Sequence, residues 1–282
     1  GAEQDVYLAA RNIRVYEAGH PIPDVRSLAA AKRILELVGK GIHRKLVIVC
    51  VSGGGSTLFC SPRPSLSLDD LVSTNNALLQ SGMNIRDINT VRKRLELWKG
   101  GGLAARISGE ESDLISLVLS DVIGDSLDII ASGPTVRDSS TGKDAYEVML
   151  KLPDTLKLPS SVVHLLESEK NETSPSSSST IFDRSTTVLV GTNSVAIQAA
   201  AMKAKALGYV PWVLGTRVEG EAKEVARVFC AIAQHAVNGP NQFSVVDKCP
   251  AVLLIGGETT VSLHADAGNG GRNQELSLQA AK

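Results

Sequence analysis

Residues 46–60, LVIVCVSGGGSTLFC, decide the fold class. The apolar run from Leu46 to Val51 has strand length, and a strand buried in a parallel sheet reads as such a continuous run. Three glycines between two serines follow it directly. At the carboxyl end of a strand, such a loop is either a tight turn or a set of bare N–H groups offered to an anion. Ser52, Gly53, Gly54, Gly55 and Ser56 are therefore the first candidate binding residues. The loop matches neither G-x-x-x-x-G-K-[ST] nor G-x-G-x-x-G, and the prolines of SPRP at 61–64 prevent a long helix straight after it.

Outward from this stretch, short aliphatic runs alternate with amphipathic segments of helix length. Strands are predicted at 13–16, 46–51, 114–119, 187–190, 212–214, 252–255 and 260–264. Helices are predicted at 25–38, 68–80, 87–98, 143–150, 194–207, 220–236 and 273–281. Ser67 with Asp70 makes a capping box, and Gly82 and Gly208 follow their helices. The alternation predicts an α/β fold with a largely parallel sheet. The chain has 282 residues, 43% hydrophobic and only 4% aromatic, so its core is aliphatic.

Composition also excludes some functions. With 29 basic and 30 acidic residues the net charge is −1, so no basic field points to nucleic acid or to an anionic membrane. No apolar run approaches a membrane span. Cys50, Cys60, Cys230 and Cys249 form no C-x-x-C pair and read as reduced thiols. Residues 168–180, SEKNETSPSSSST, have nothing apolar to bury and read as a solvated or disordered insertion. The polar loop 238–250 is the expected domain boundary. Both ends read as cut, the C-terminal one inside a helical pattern at LSLQAAK.

Four further segments carry candidate chemistry. In NIRDINTVRKRLELWKGGGLA, 84–104, Arg92 and Lys99 lie seven apart on one helical face. Lys99 stands where Gly100, Gly101 and Gly102 unwind the helix, either as a dipole partner or as part of a second phosphate grip. In LSDVIGDSLDIIASGPT, 119–135, Asp121, Asp125 and Asp128 follow a strand end, and Asp121 is the best Mg²⁺ ligand. Equally, Asp125–Ser126 could start a helix, and Ser132 is a possible ligand-facing hydroxyl. In GTN, 191–193, Asn193 is by default an N-cap and otherwise a ligand contact. In IGGETTVSLHADAGNGGRNQELSL, 255–278, glycines flank Glu258 and Arg272. An arginine beside a helix start can stabilise charge on a transferring phosphoryl group. His20 reads as a turn residue, and His43, His164, His235 and His264 show no zinc spacing. No G-x-S-x-G elbow is present.

Together EAGHPIPD, VSGGGST, INTVRKRLELWKGGGLA, LSDVIGDSLDIIASGPTV and LLIGGETTVSL…GNGGRNQELSL resemble the ATP-dependent glycerate 2-kinases of the MOFRL type, nearly end to end. The resemblance implies a Rossmann-like large α/β domain over 1–240, lacking its N-terminal part, and the start of a smaller MOFRL domain over 251–282, with a cleft between them. It implies transfer of phosphate from ATP, with Mg²⁺, to the 2-hydroxyl of D-glycerate. The glycine loop and Asn89, Arg92, Lys99, Gly100 and Gly101 would line the cleft. Ser132, Asn193, Glu258 and Asn273 would join them, with Arg272 and Lys99 catalytic. An upstream G-K-A lysine of the family and a downstream SGGTDG-like segment have no counterpart here. An inactive nucleotide- or partner-binding fragment is thus the alternative, and a Rossmann-type oxidoreductase is a poorer one. The compartment would be the cytoplasm, or the mitochondrial matrix if a leader is missing, and a homodimer is possible.

Overall fold

The computed structural model describes residues 13–39, 45–108, 112–174, 179–238, 250–262 and 268–282. Most of the expected boundary loop, the centre of the serine-rich patch, Cys249, His43 and His264 lie outside them. The chain forms two compact units, one of residues 1–119 and 126–188, the other of 120–125 and 189–282.

In the first unit α1 (Val25–Gly39) precedes β1 (Leu46–Val51), and β2 (Asp113–Leu119) pairs parallel to β1 in unbroken register. β3 (Ser185–Gly191), whose first four residues belong to this unit, is the third strand in the order β1-β2-β3. Between β1 and β2 come α2 (Gly55–Leu58), α3 (Leu68–Gln80), α4 (Ile85–Leu95) and α5 (Gly102–Ser108); α6 (Gly142–Met149) and α7 (Ser160–Glu169) follow. Side chains start several of these helices. Ser67 and Asp70 close a capping box on α3, Thr141 and Asp144 close another on α6, and Asn84 accepts from Asp87 N at α4. Leu71, Leu78, Ile88, Val91, Leu95, Val148, Val162 and Leu166 form one aliphatic core. A second packs Ala31, Trp98, Leu103, Ile107 and Leu114, with Phe59 stacked on Trp98 at 5.4 Å.

In the second unit α8 (Asn193–Ala206), β4 (Val210–Glu221), α9 (Ala222–Asn238), β5 (Ala251–Thr260) and α10 (Arg272–Ala281) follow in order, with β4 and β5 parallel. Both sheets are thus built on parallel pairs, as the alternation predicts. Among the described residues no helix is long and apolar enough to cross a membrane.

Four local expectations are corrected. Residues 13–16 are not a strand. The helix expected over 87–98 ends at Leu95, because the chain before α3 captures its backbone: Arg63 N donates to Leu95 O and Leu97 N to Ser61 O, both at 2.9 Å. Glu96 is accordingly extended and bridged to Pro62. The two strands expected at 252–255 and 260–264 are one strand ending at Thr260; 261–262 do not continue it, and 263–264 lie outside the described residues. Finally, residues 168–174 are not a loose insertion. Ser168 and Glu169 close α7, and Glu169 and Glu172 supply carboxylates to buried Arg94.

Candidate functional site

In the first unit a hydrogen-bonded chain ties three candidates together. Ser56 Oγ lies 3.1 Å from Ser132 Oγ, and Ser132 Oγ donates to Asn89 Oδ1 at 3.0 Å. A hydroxyl has one proton to give, so Ser56 is the donor in the first bond. Asn89 and Ser132 are both buried. Ser132 sits in a strained turn: Ala131, Ser132 and Gly133 have φ of 50°, 60° and 61°. A left-handed backbone costs non-glycine residues such as Ala131 and Ser132 about 1–2 kcal/mol each. The turn is held because its carbonyls are used. Gly100 N donates to Ser132 O at 3.0 Å, and Gly101 N donates to Gly133 O at 2.8 Å.

That geometry corrects the reading of a second phosphate grip. The N–H groups of Gly100 and Gly101 are consumed by the 132–133 turn, and Gly102 N donates to Lys99 O. Gly102 opens α5 and is pressed against the Leu97 carbonyl. The first glycine loop is different. Gly54 takes φ 80°, and among the described residues Gly53, Gly54 and Ser56 donate no backbone hydrogen bond. The loop adjoins the strained turn, where a Cβ on Gly55 would lie 3.1 Å from Ala131 Cβ. His20, exposed, places its ring against Gly54, 3.2 Å from where a Cβ would be.

The cations of α4 and its exit divide by partner. Lys93 Nζ lies 3.2 Å from Asp138 and 3.3 Å from Asp128, and Arg94 binds Glu172 and the Ser140 carbonyl. Asp128 is therefore a structural partner; Ser126 also donates to it, and Asp125, at φ 56°, starts no helix. Lys99 pairs closely with Glu96, both side chains being buried. Because α4 ends at Leu95, Lys99 neither ends a helix nor shares a helical face with Arg92. Arg92 Nε donates to Asn75 Oδ1 at 2.7 Å, and Arg92 has no ion pair among the described residues. Burial lowers its pKa, with Glu96 opposing. Ser52, Gly53, Gly55, Lys99 and Ala131 line one part of a cavity of about 490 Å³ whose other walls are largely apolar.

The second unit assembles its own cluster. Thr192, not Asn193, caps α8 by accepting from Val195 N, which frees the Asn193 amide to donate to Gly257 O at 3.2 Å. Arg272, the first residue of α10, pairs closely with Glu258 on β5. Asn193, Gly256, Gly257, Glu258, Arg272 and Asn273 line a cavity of about 190 Å³. Asp121, exposed, follows Ser120, whose N–H donates to Gly191 O at 2.9 Å, so it lies near the start of α8. No cluster of three metal-ligating side chains exists among the described residues. One exposed carboxylate still suits Mg²⁺, which keeps most of its waters and takes phosphate oxygens.

Sequence reasoning missed Ala131, Glu96 and Asn75. Glu96 had a signal, its i,i+3 spacing to Lys99; the strain at Ala131 had none.

Residues 2–167 match the family described as "Domain of unknown function (DUF4147)" and residues 251–282 the MOFRL family. A glycerate 2-kinase from Pyrococcus horikoshii is 38% identical over 278 residues, covering 96% of this chain and 60% of that protein. An Agrobacterium vitis protein with a provisional hydroxypyruvate reductase name is 41% identical over 272 residues, covering 95% and 67%. The crystal structure of glycerate kinase from Thermotoga maritima superposes with a TM-score of 0.79 at 38% identity, covering 96% of this chain and 61% of that one. The chain thus spans about three fifths to two thirds of the length of these relatives. With one match running through the first unit and another over its last 32 residues, the chain belongs to the DUF4147–MOFRL family of glycerate kinases.

Proposed function

We propose that the chain serves ATP-dependent phosphorylation of D-glycerate, giving 2-phosphoglycerate. The observation that carries this reading is the loop after β1, where Gly53, Gly54 and Ser56 keep N–H groups with no backbone acceptor among the described residues. Oriented amides of this kind hold phosphate oxygens without the cost of burying a second set of charges. Phosphoryl transfer asks little covalent chemistry of a protein; it asks for positioning and for neutralisation of charge. Arg272, half exposed and paired with Glu258, would supply a guanidinium to the transferring group. Asn193 and Asn273 offer neutral donors beside it. Asp121 would hold Mg²⁺, which when bound neutralises charge on the phosphates. Lys99, already paired with Glu96, lines the cavity beside the loop.

A second reading, hydroxypyruvate reduction, has the name of the Agrobacterium relative in its favour. The glycine loop lacks the G-x-G-x-x-G spacing of a dinucleotide site, which favours the kinase. ADP release in the presence of D-glycerate and MgATP tests the first; NADH oxidation with hydroxypyruvate tests the second. Arg272→Ala is expected to lower turnover by roughly 10³-fold with the circular dichroism spectrum unchanged. Near-normal kcat in that variant removes Arg272 from the mechanism, and NADH oxidation without ADP release replaces the kinase by the reductase.

A further inference from the structure

The turn at 19–24, which leads into α1, is fixed at both ends. Asp24 caps the helix: its Oδ1 accepts from Arg26 N at 2.9 Å and from Ser27 N at 3.2 Å. The Oγ of buried Ser27 accepts in return from Asp24 N at 3.2 Å. Pro23 is buried, and a Cβ on Gly19 would lie 2.5 Å from the Ile22 carbonyl oxygen, so the turn closes tightly there. The residue it presents is His20. The imidazole lies against the glycine loop after β1, with Nε2 and Cδ2 each 3.2 Å from where a Cβ on Gly54 would stand. Gly54 is thus needed twice, for its φ of 80° and for the space the ring fills. His20 is exposed all the same, and among the described residues it has no hydrogen bond or ion pair.

A Cα–Cβ bond is about 1.5 Å, so Nε2 stands within about 6 Å of the Gly54 amide nitrogen. That N–H and the one on Gly53 have no backbone acceptor among the described residues. Two oxygens of one phosphate, each taking a hydrogen bond of about 2.9 Å, bridge such a gap. The loop offers dipoles without charge: residues 52–58 are SGGGSTL, and Lys99, which lines the same cavity as Gly53 and Gly55, is paired with Glu96. We propose that His20 is a phosphate-binding residue, an imidazolium that donates from Nε2 to the phosphate group whose other oxygens meet the Gly53 and Gly54 amides. The assignment rests on the kinase reading for the phosphate being a nucleotide's, and it adds a pH dependence to that reading. An imidazole ionises near pH 6.5, so its contribution is present below that value and fades above it. No titratable side chain lies on the loop packed against the ring. On the ring's own segment the charged residues are Glu17, Asp24 and Arg26. The Arg26 guanidinium, hydrogen-bonded to Asp24, holds that carboxyl down at about 2, so this pair keeps its charges across the imidazole's range.

Calorimetric titration of the 282-residue chain and of His20→Gln with MgATP, at about pH 6 and about pH 8, tests it. The ratio of the two affinities at each pH cancels the nucleotide's own protonation. His20→Gln is expected to bind MgATP about tenfold more weakly than wild type at the lower pH, the low end for a hydrogen bond to a charged group. At the higher pH, where both side chains are neutral, the two are expected to agree within about threefold. Equal affinities at both pH values overturn the proposal and leave the glycine loop as the phosphate site. A tenfold loss that is the same at both also overturns it, because that is the mark of a packing role. A wild-type chain without affinity for MgATP sinks it together with the kinase reading. The expected pH-dependent ratio without ADP release in the presence of D-glycerate leaves His20 in place and sinks the kinase reading alone.

Discussion

The two glycine clusters of the first unit look alike as text, GGG at 53–55 and GGG at 100–102, and do opposite things. At 100–102 the backbone is used up from within: each N–H has a carbonyl acceptor, and the space where side chains would stand holds Asp138, Phe182, Val136 and Leu97. Those glycines let two chain segments touch. At 53–55 Gly54 borders His20 and Leu58 and Gly55 borders Ala131; Gly55 N–H donates within the loop to Ser52 O at 3.4 Å, while the N–H groups of Gly53 and Gly54 have no backbone acceptor among the described residues. A glycine run is therefore evidence of close approach, and whether the approaching group is protein or ligand depends on what fills the cradle.

The comparison breaks most readily at Gly102. A methyl there overlaps the Leu97 carbonyl, and backbone has no rotamer to escape into. Gly102→Ala is expected to cost about 3 kcal/mol, the upper range for overpacking, seen as a lower denaturant midpoint with unchanged slope. A cost under about 0.5 kcal/mol, the level of an ordinary surface change, would mean the cluster is not structural.

Gly54→Ala sharpens the other side. Its φ of 80° makes the substitution strained, but its nearest neighbours are the movable ring of His20 and the Leu58 side chain. The stability cost is expected near 1 kcal/mol, the lower end for a left-handed residue, while MgATP affinity falls at least about tenfold because the loop amides turn away. Equal effects of Gly54→Ala and Gly102→Ala on stability, with nucleotide affinity untouched by either, would erase the distinction.

The last test concerns the anchor of the open loop, where nothing changes near neutral pH. Cys60, just beyond α2, is buried, and burial pushes its thiol from about 9 to about 12, with Glu96 adding to the rise. Folded chain therefore holds this proton over a pH window in which unfolded chain has lost it. Stability is fully present below about pH 9 and falls by at most about 1.4 kcal/mol per pH unit from there toward 12. At pH 8 iodoacetamide is expected to modify exposed Cys50 and spare Cys60 until denaturant is added. Modification of Cys60 in the native state would show that the base of the loop opens.

Much of this was legible in the chain. Alternating apolar runs and helical segments determined the parallel α/β class, because burial on both faces of a sheet requires such runs. The capping residues Ser67 and Asp70 determined the start of α3, since that bond is made within four residues. The loop at 52–56 announced itself by composition. What the sequence left open depended on partners distant along the chain. Residues 61–63 decided where α4 stops, and with it the fate of Lys99. Thr192 took the cap that Asn193 was expected to fill, leaving that amide for Gly257. Asp138, Glu172 and Glu96 decided which cations were neutralised and so which one remained. Charge and hydrogen-bonding capacity belong to each residue, but whether either is spent is a property of its neighbours, and only the tertiary structure chooses those.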